Sequence, residues 1–314
     1  MTEIKRTYLN GRVAGAFQGV SGFLRNRKKW KNKDEVEREL RKLQGYAVHK
    51  EIRRKFPRRA IKVLFQYDVL AADLKDIASI AKYNNNNRFI LFAIDGFSKK
   101  GFARMIKDKT GKSVVRALAS IFREMGTPPR LMYCDQGVEF HNQVVKSFLK
   151  TKGCRLYNIY SHIKSSFSER FIRTIYTRIQ RYMTERNNLR IVDILPQLVA
   201  GYNNSIHSTI KTSPNQVTPE NEMQIFHDIY LKRFQEKPKG KPKYHVNDLV
   251  RISVEKAKFS KGYNPNFSTE VFRIAEVRST NPYTYHLTDL NNEKLVGQFY
   301  EPELDMAVLL EQKE

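Results

Sequence analysis

The chain has 314 residues, with 57 Lys/Arg against 32 Asp/Glu, a formal charge of +25 and two cysteines. A balance this basic favours a polyanionic partner, nucleic acid above all, while two cysteines exclude a disulfide scaffold, and the spacing of Cys134, Cys154 and the seven histidines excludes a Cys/His zinc site. No apolar run reaches the roughly 18 residues of a membrane span and no signal-peptide stretch opens the chain, so a soluble intracellular protein is expected.

The charge is uneven: 19 Lys/Arg against 6 Asp/Glu fall between Met1 and Lys62. Residues 1–58 read as a basic helical DNA-binding region. Within it, Val36, Leu40 and Leu43 recur at helical spacing from Lys33 to Leu43. Basic clusters at 25–31 and 53–59 flank that helix; each suits phosphate contacts, a nuclear import signal or a solvated charged face.

Residues 59–222 alternate strand and helix patterns. Leu70–Ile77, Arg88–Phe97 and Gly101–Ile106 read as an antiparallel meander, with the asparagines 84–87 as a hairpin loop. Lys112–Glu124 is a helix stopped by Gly126, Pro128 and Pro129. The pattern continues with a strand at Arg130–Cys134, a helix at Asn142–Thr151, a strand at Cys154–Asn158 and helices at Glu169–Arg186 and Asp193–Asn203. The predicted fold is α/β, a mixed five-stranded sheet with helices on both faces. Residues 223–241 read as a charged helical linker. Residues 242–308 turn to β pattern, with strands at Asp248–Val254, Val271–Arg278, Thr284–Leu287 and Leu295–Phe299, enough for a small barrel.

Three acids stand in informative settings. Asp73 lies within the first strand, and Asp135 follows Cys134 at a strand's end. Glu169 opens a long helix, where the helix dipole favours its charge. Carboxylates from two strands and a helix suit two magnesium or manganese ions, which prefer hard oxygen ligands. Such a pair of ions catalyses in-line displacement at phosphorus. Asp76, three residues beyond Asp73 on one strand, points to the opposite face. Asp95 and His207 read as structural, and Glu139 as a support for the Asp135 turn.

The motifs around these acids carry a resemblance. Arg88–Lys100, Asp135-Gln-Gly-Val-Glu-Phe140, Ser168-Glu-Arg-Phe171 with Arg173-Thr174, and Tyr202–His207 with Ser213-Pro214 resemble retroviral-type D-D-E integrases. So do Lys261–Phe267, Glu270–Phe272 and Gly297–Leu304. The pattern is most similar to integrases of Maverick/Polinton self-synthesising DNA transposons and virophages. The resemblance implies a ribonuclease H-like core and an SH3-like or chromodomain-like C-terminal domain. It implies that Asp73, Asp135 and Glu169 are the catalytic metal ligands. It also implies metal-dependent 3′-end processing and strand transfer of element DNA into target DNA, by a homo-multimer in the nucleus.

Two positions depart from the pattern. Ile172 stands where many relatives carry Asn three residues after the glutamate, and Tyr176 where they often carry Lys. These departures motivate a competing reading, a catalytically decayed or domesticated DNA- or chromatin-binding protein. On the helix of Glu169, Arg173, Thr177 and Gln180 form a polar stripe expected to track DNA, and Phe171, Ile175, Ile179 and Tyr182 an apolar one. Lys164, Arg251, Lys258 and Lys261 are further DNA-contact candidates. The C-terminal aromatics Tyr263, Phe267, Phe272, Tyr283, Tyr285 and Phe299 suit either a barrel core or a methyl-lysine cage for chromatin.

Overall fold

A computed structural model describes residues 2–25, 29–30, 32–52, 56–59, 61–134, 137–158, 166–238, 240–254 and 264–308. The chain divides into two units. Met1–Ala60 and Glu236–Glu314 form a terminal unit, and Ile61–Gln235 forms a core unit. No helix among the described residues is long and apolar enough to cross a membrane.

The terminal unit begins with four short helices, α1 (Glu3–Leu9), α2 (Val20–Arg25), α3 (Lys33–Arg41) and α4 (Gln44–His49). α3 starts where the Asn32 side chain accepts from the amides of Asp34 and Glu35, a polar N-cap. Its Val36 and Leu40, one turn apart, are buried against Ile4, Tyr8, Val20 and Phe23.

The core unit carries the mixed sheet. Its first strands are β1 (Val69–Asp76), β2 (Phe89–Asp95) and β3 (Gly101–Ile106), an antiparallel meander. There follow α5 (Gly111–Met125), β4 (Leu131–Cys134), α6 (Val138–His141), α7 (Gln143–Thr151) and β5 (Arg155–Asn158). β4 and β5 run parallel to β1, giving the order β3-β2-β1-β4-β5. Then come α8 (Ser166–Arg186) and α9 (Leu195–Asn203). This is the ribonuclease H-like arrangement.

Helices cover both faces of the sheet. Val114, Leu118 and Ile121 of α5 and Val145 and Leu149 of α7 pack on Leu70, Ala72 and Leu91. Phe171, Ile175 and Ile179 of α8 and Leu195, Val199 and Tyr202 of α9 pack on Ala71, Ile90, Phe92 and Ile94. Every residue of β2 is therefore buried, which accounts for its unbroken apolar run.

The asparagine run turns the chain between the antiparallel β1 and β2, as expected; a 3₁₀ helix, Ala78–Tyr83, precedes it, and Asn85 and Asn86 are in left-handed conformation. Asn84 is fully buried; its oxygen accepts from Ile191 and Val192 at 2.7 and 3.0 Å, and its amide donates to Ile80 and Leu189. The asparagine run thus satisfies buried backbone and supplies positive φ, which asparagine tolerates better than most residues. On α8, Tyr182 is only half-buried, and Met183 extends the apolar stripe because it continues the four-residue step through Phe171, Ile175 and Ile179.

Beyond α9 the core unit continues with α10 (Pro219–Ile225), a π-helical stretch (Phe226–Leu231) and α11 (Lys232–Gln235). Tyr230, 3% exposed, donates to the Phe97 carbonyl at 2.6 Å and stacks on its ring. One side of this stretch, with Phe226, Ile229, Tyr230 and Phe234, packs on Val63, Val69 and Phe97, while Met223 is exposed.

The terminal unit resumes with β6 (Leu249–Ile252), β7 (Phe272–Arg278), β8 (Thr284–Thr288), β9 (Phe299–Tyr300) and β10 (Leu304–Met306). They pair antiparallel in the order β10-β6-β7-β8-β9 around Tyr244, Val250, Ile274, Tyr285 and Leu287. The fourth expected strand, Leu295–Phe299, is cut to Phe299–Tyr300. An Asp289 side chain that accepts from the amides of Asn291 and Glu293 makes a tight turn just before it.

The helices and this sheet of the terminal unit are joined by charge. Asp305, 2% exposed, lies 2.8 Å from Arg41 and 2.9 Å from Lys50, and Glu37 pairs with the same two cations. Burial pushes the Glu37 carboxyl up, but its hydrogen bonds to Lys50 and Arg41 outweigh that and hold it at about 2. The amide of Phe267 donates to the Val48 carbonyl at 3.0 Å.

Candidate active site

Asp73 sits in the middle of β1, the central strand. Its ladder partner across to β2 is Phe92, and that pair shares the sheet face with Ala71–Ile94 and Lys75–Ile90. This is the face covered by α8, since Ala71, Ile90, Phe92 and Ile94 pack there. Asp73 is half-buried, and its Oδ1 accepts from the Leu74 amide at 2.8 Å.

Glu169 lies in the first turn of α8 and is exposed. Two residues on, Phe171 meets Phe92 edge to face at 5.8 Å. Phe171 therefore lays the start of α8, the helix that carries Glu169, over the sheet face that carries Asp73. Among the described residues no side chain pairs with Glu169.

Asp135 lies outside the described residues. β4, the strand before it, pairs in parallel with β1 through Leu70↔Met132 and Ala71↔Tyr133 and ends at Cys134. Among the described residues no group of three or more His, Cys, Asp or Glu is close enough to hold a metal. The two described acids are hard oxygen donors on one sheet face, which fits magnesium or manganese in kind.

The frame of the site is tight. An added Cβ on Gly101, at the start of β3, would lie 2.3 Å from the Phe171 ring, so the helix approaches the strand as closely as glycine allows. Asn203, 5% exposed, clamps the same residue: its oxygen accepts from the Gly101 amide at 2.8 Å and its amide donates to the Gly101 carbonyl at 2.9 Å. Tyr202 packs on Phe171 at 4.9 Å. The Tyr202–Asn203 motif thus positions α8.

Residues 69–162 match the family model of the integrase core domain. The matched segment runs from β1 past β5. An uncharacterized transposon-derived protein of Caenorhabditis elegans is 36% identical over 199 residues, covering 61% of this chain and 64% of the relative. The chain thus spans less than two thirds of that relative's length. In fold, the chain is similar to a chain of the simian T-cell lymphotropic virus intasome solved by cryo-EM in complex with the PP2A regulatory subunit B56 gamma. The TM-score is 0.64 at 15% identity, over 91% of this chain and 95% of that one. The catalytic core domain of HTLV-2 integrase in complex with magnesium aligns with a TM-score of 0.42 at 16% identity, over 49% of this chain and 97% of that one. The family model thus covers the core segment, and the likeness to the intasome chain shows a shared fold.

Around the integrase-like core, the neighbouring acids have structural partners. Asp95 is fully buried and accepts from Tyr67, Ser98 and the Ser98 hydroxyl; burial pushes its carboxyl up and these hydrogen bonds pull it down, leaving it raised. Asp76 is exposed and accepts from the Ala78 amide. Glu139 is half-buried on α6. His207 accepts at Nδ1 from the Thr209 amide, and burial, with Lys99 and Arg170 nearby, lowers its pKa. Cys134 is buried, its Sγ 3.8 Å from His141 Nε2.

The expected DNA contacts are scattered. Arg173 and Gln180 are exposed on α8 and Thr177 is half-buried. Arg251 donates from Nη1 to the carbonyls of Ser268, at 2.9 Å, and Thr269, so its guanidinium is engaged within its own unit. Lys164, Lys258 and Lys261 lie outside the described residues. Of the C-terminal aromatics, Phe267, Phe272 and Tyr285 are buried, Tyr283 and Phe299 pack partly on the same core, and Tyr263 lies outside the described residues. The described rings thus form core rather than an open cage.

Ile172 and Tyr176 both pack against the apolar cluster under α8. Tyr176 has a further partner that the sequence reading missed. Lys75 Nζ of β1 stands 4.7 Å from the centre of its ring. The signal available was the two-residue alternation that puts Lys75 on the face of Asp73.

Proposed function

We propose that the chain is a DNA integrase that trims the 3′ ends of element DNA and joins them to target DNA. What supports this reading is the ribonuclease H-like sheet, with Asp73 on the face that α8 covers and Glu169 in the first turn of that helix. Asp135, one residue past β4, completes the set by sequence. Bound divalent ions, magnesium or manganese, would activate an attacking oxygen and stabilise the leaving one. The chain's own residues supply position: β1 fixes Asp73, and the packing of Phe171 on Gly101 fixes the start of α8 and so Glu169. Asp73, Asp135 and Glu169 are the ligands in this reading, with two ions between them.

The substrates are the two ends of an element's own duplex, held by a homo-multimer that acts in the nucleus. The basic terminal segment, the polar stripe of α8 and the C-terminal sheet, with Lys164, Lys258 and Lys261, are the DNA contacts. The lineage is that of Maverick/Polinton or virophage elements, and terminal inverted repeats flanking the gene are the expected genomic mark. Purified protein given duplexes that end in those repeats should nick and join them with manganese. Asp135→Asn should abolish both steps, by at least about 10³-fold, with DNA binding kept. Joining by that variant at the wild-type rate would refute the ligand assignment. A metal-independent, salt-sensitive DNA binder that never nicks would instead be the decayed relative. Ile172 and Tyr176, which place apolar surface along α8 beside Glu169, favour that second reading.

A further inference from the structure

Carboxylates such as Asp73 and Glu169 repel a DNA backbone unless cations stand beside them. Arg173 is an exposed cation on α8, one turn past Glu169. The strand side of the site has another. Lys75 is two residues beyond Asp73, and the pleat returns it to the same face, about 6.6 Å along the strand at about 3.3 Å per residue. It is half-buried and forms no ion pair with any described residue.

What holds Lys75 is a ring. Its Nζ lies 4.7 Å from the centre of Tyr176. Tyr176 follows Glu169 by seven residues, two helical turns, and so lies on the same side of α8. A carboxylate partner would neutralise the ammonium. An aromatic face holds it by cation–π attraction and leaves its full charge for another anion. The ammonium therefore sits between the strand that carries Asp73 and the helix that carries Glu169.

We propose that Lys75 binds a DNA phosphate beside the acids of the site, with Tyr176 as the positioning residue that supports its ammonium. The inference rests on the DNA-processing reading of the same site. The ligand class is a backbone phosphodiester, recognised as a point charge and without base preference. The long polar side chain of Lys75 and the ring of Tyr176 thus act as one unit drawn from two elements.

The test is the salt dependence of DNA binding by the full chain, measured by anisotropy on a short duplex without divalent metal. Lys75→Gln should make the slope of log K against log salt shallower by about 0.9, the loss of one phosphate contact, and Lys75→Arg should restore it. Tyr176→Leu should shift the slope the same way, and Tyr176→Phe, which keeps the ring, should not. An unchanged slope in Lys75→Gln overturns the proposal. Should that variant fail to fold, the Tyr176 pair decides: different slopes for Leu and Phe support it, and equal slopes overturn it. Because no joining is needed, a shifted slope in a chain that never joins DNA leaves Lys75 standing and counts against the enzyme reading. Joining with an unchanged slope does the reverse.

Discussion

In the core unit, α8 is held to the sheet by Phe171, Ile175 and Ile179, three apolar side chains that are 2% exposed or less. In the terminal unit, the N-terminal helices are joined to the C-terminal sheet through Asp305, Arg41, Lys50 and Glu37, four charges at 2.6–2.9 Å. Both devices tie segments that are far apart in sequence. They differ in what they leave available. Apolar packing fixes the position of α8 while consuming no charge. The ion cluster consumes its charges internally. It is specific, since each ion needs its partner, and it is exposed to failure when one partner is lost.

The largest expected effect follows from that last point. Asp305→Ala should leave Arg41 and Lys50 crowded without their buried partner and cost about 3–5 kcal/mol, the usual range for breaking a buried pair. Urea unfolding followed by Trp30 fluorescence, which reports the terminal unit, should show the loss. A loss below about 1 kcal/mol would mean that the apolar contacts of the helices carry the union instead.

A smaller effect is expected in the core. Gly101→Ala drives a methyl group against the Phe171 ring and should cost about 1–3 kcal/mol by overpacking. Because α8 is displaced, DNA joining should fall further than DNA binding does. Equal losses in both would show that the Gly101–Phe171 contact supports the fold without setting the place of Glu169.

The smallest effect separates the two units by acid. Glu37 has its pKa lowered from 4.5 to about 2, so the stability it contributes is complete above about pH 4.5 and is lost as pH falls toward about 2. Asp95 of the core is shifted the opposite way. Its stability contribution is present below its ordinary value of 3.8 and is lost only as pH rises through its raised pKa. Between about pH 4.5 and 2 the terminal unit should therefore soften while Asp95 does not weaken the core, read by amide exchange in each unit. Parallel softening of both would break the contrast.

These differences bear on what the sequence reveals. The core sheet is legible because its signals are local. Phe89–Ile94 is an unbroken apolar run, Gly101–Ile106 continues it after a turn, and a helix period runs through Val115, Leu118, Ala119 and Phe122. Asp73 and Glu169 could be placed on their elements for the same reason. The joining of Arg41 to Asp305 had no such signal, since charged residues carry no periodicity and the two lie 264 positions apart. β10 is three residues long, too short for any pattern to register. Lys75 escaped notice because an ammonium on a strand looks solvated until the ring that holds it, on a distant helix, is in place.

The division of the chain has a consequence for its synthesis. Residues 61–235 are threaded between the two halves of the terminal unit. On the ribosome, the helices within Met1–Ala60 emerge well before Asp305, their buried counter-ion, which lies 264 positions after Arg41. The core segment can condense as soon as it leaves the exit tunnel. The basic helices before it must wait through its entire translation with Glu37 as the partner that Arg41 and Lys50 share. A unit begun before the core is thus completed after it, and a cationic nascent segment stays open to passing polyanions until the strand that carries Asp305 arrives.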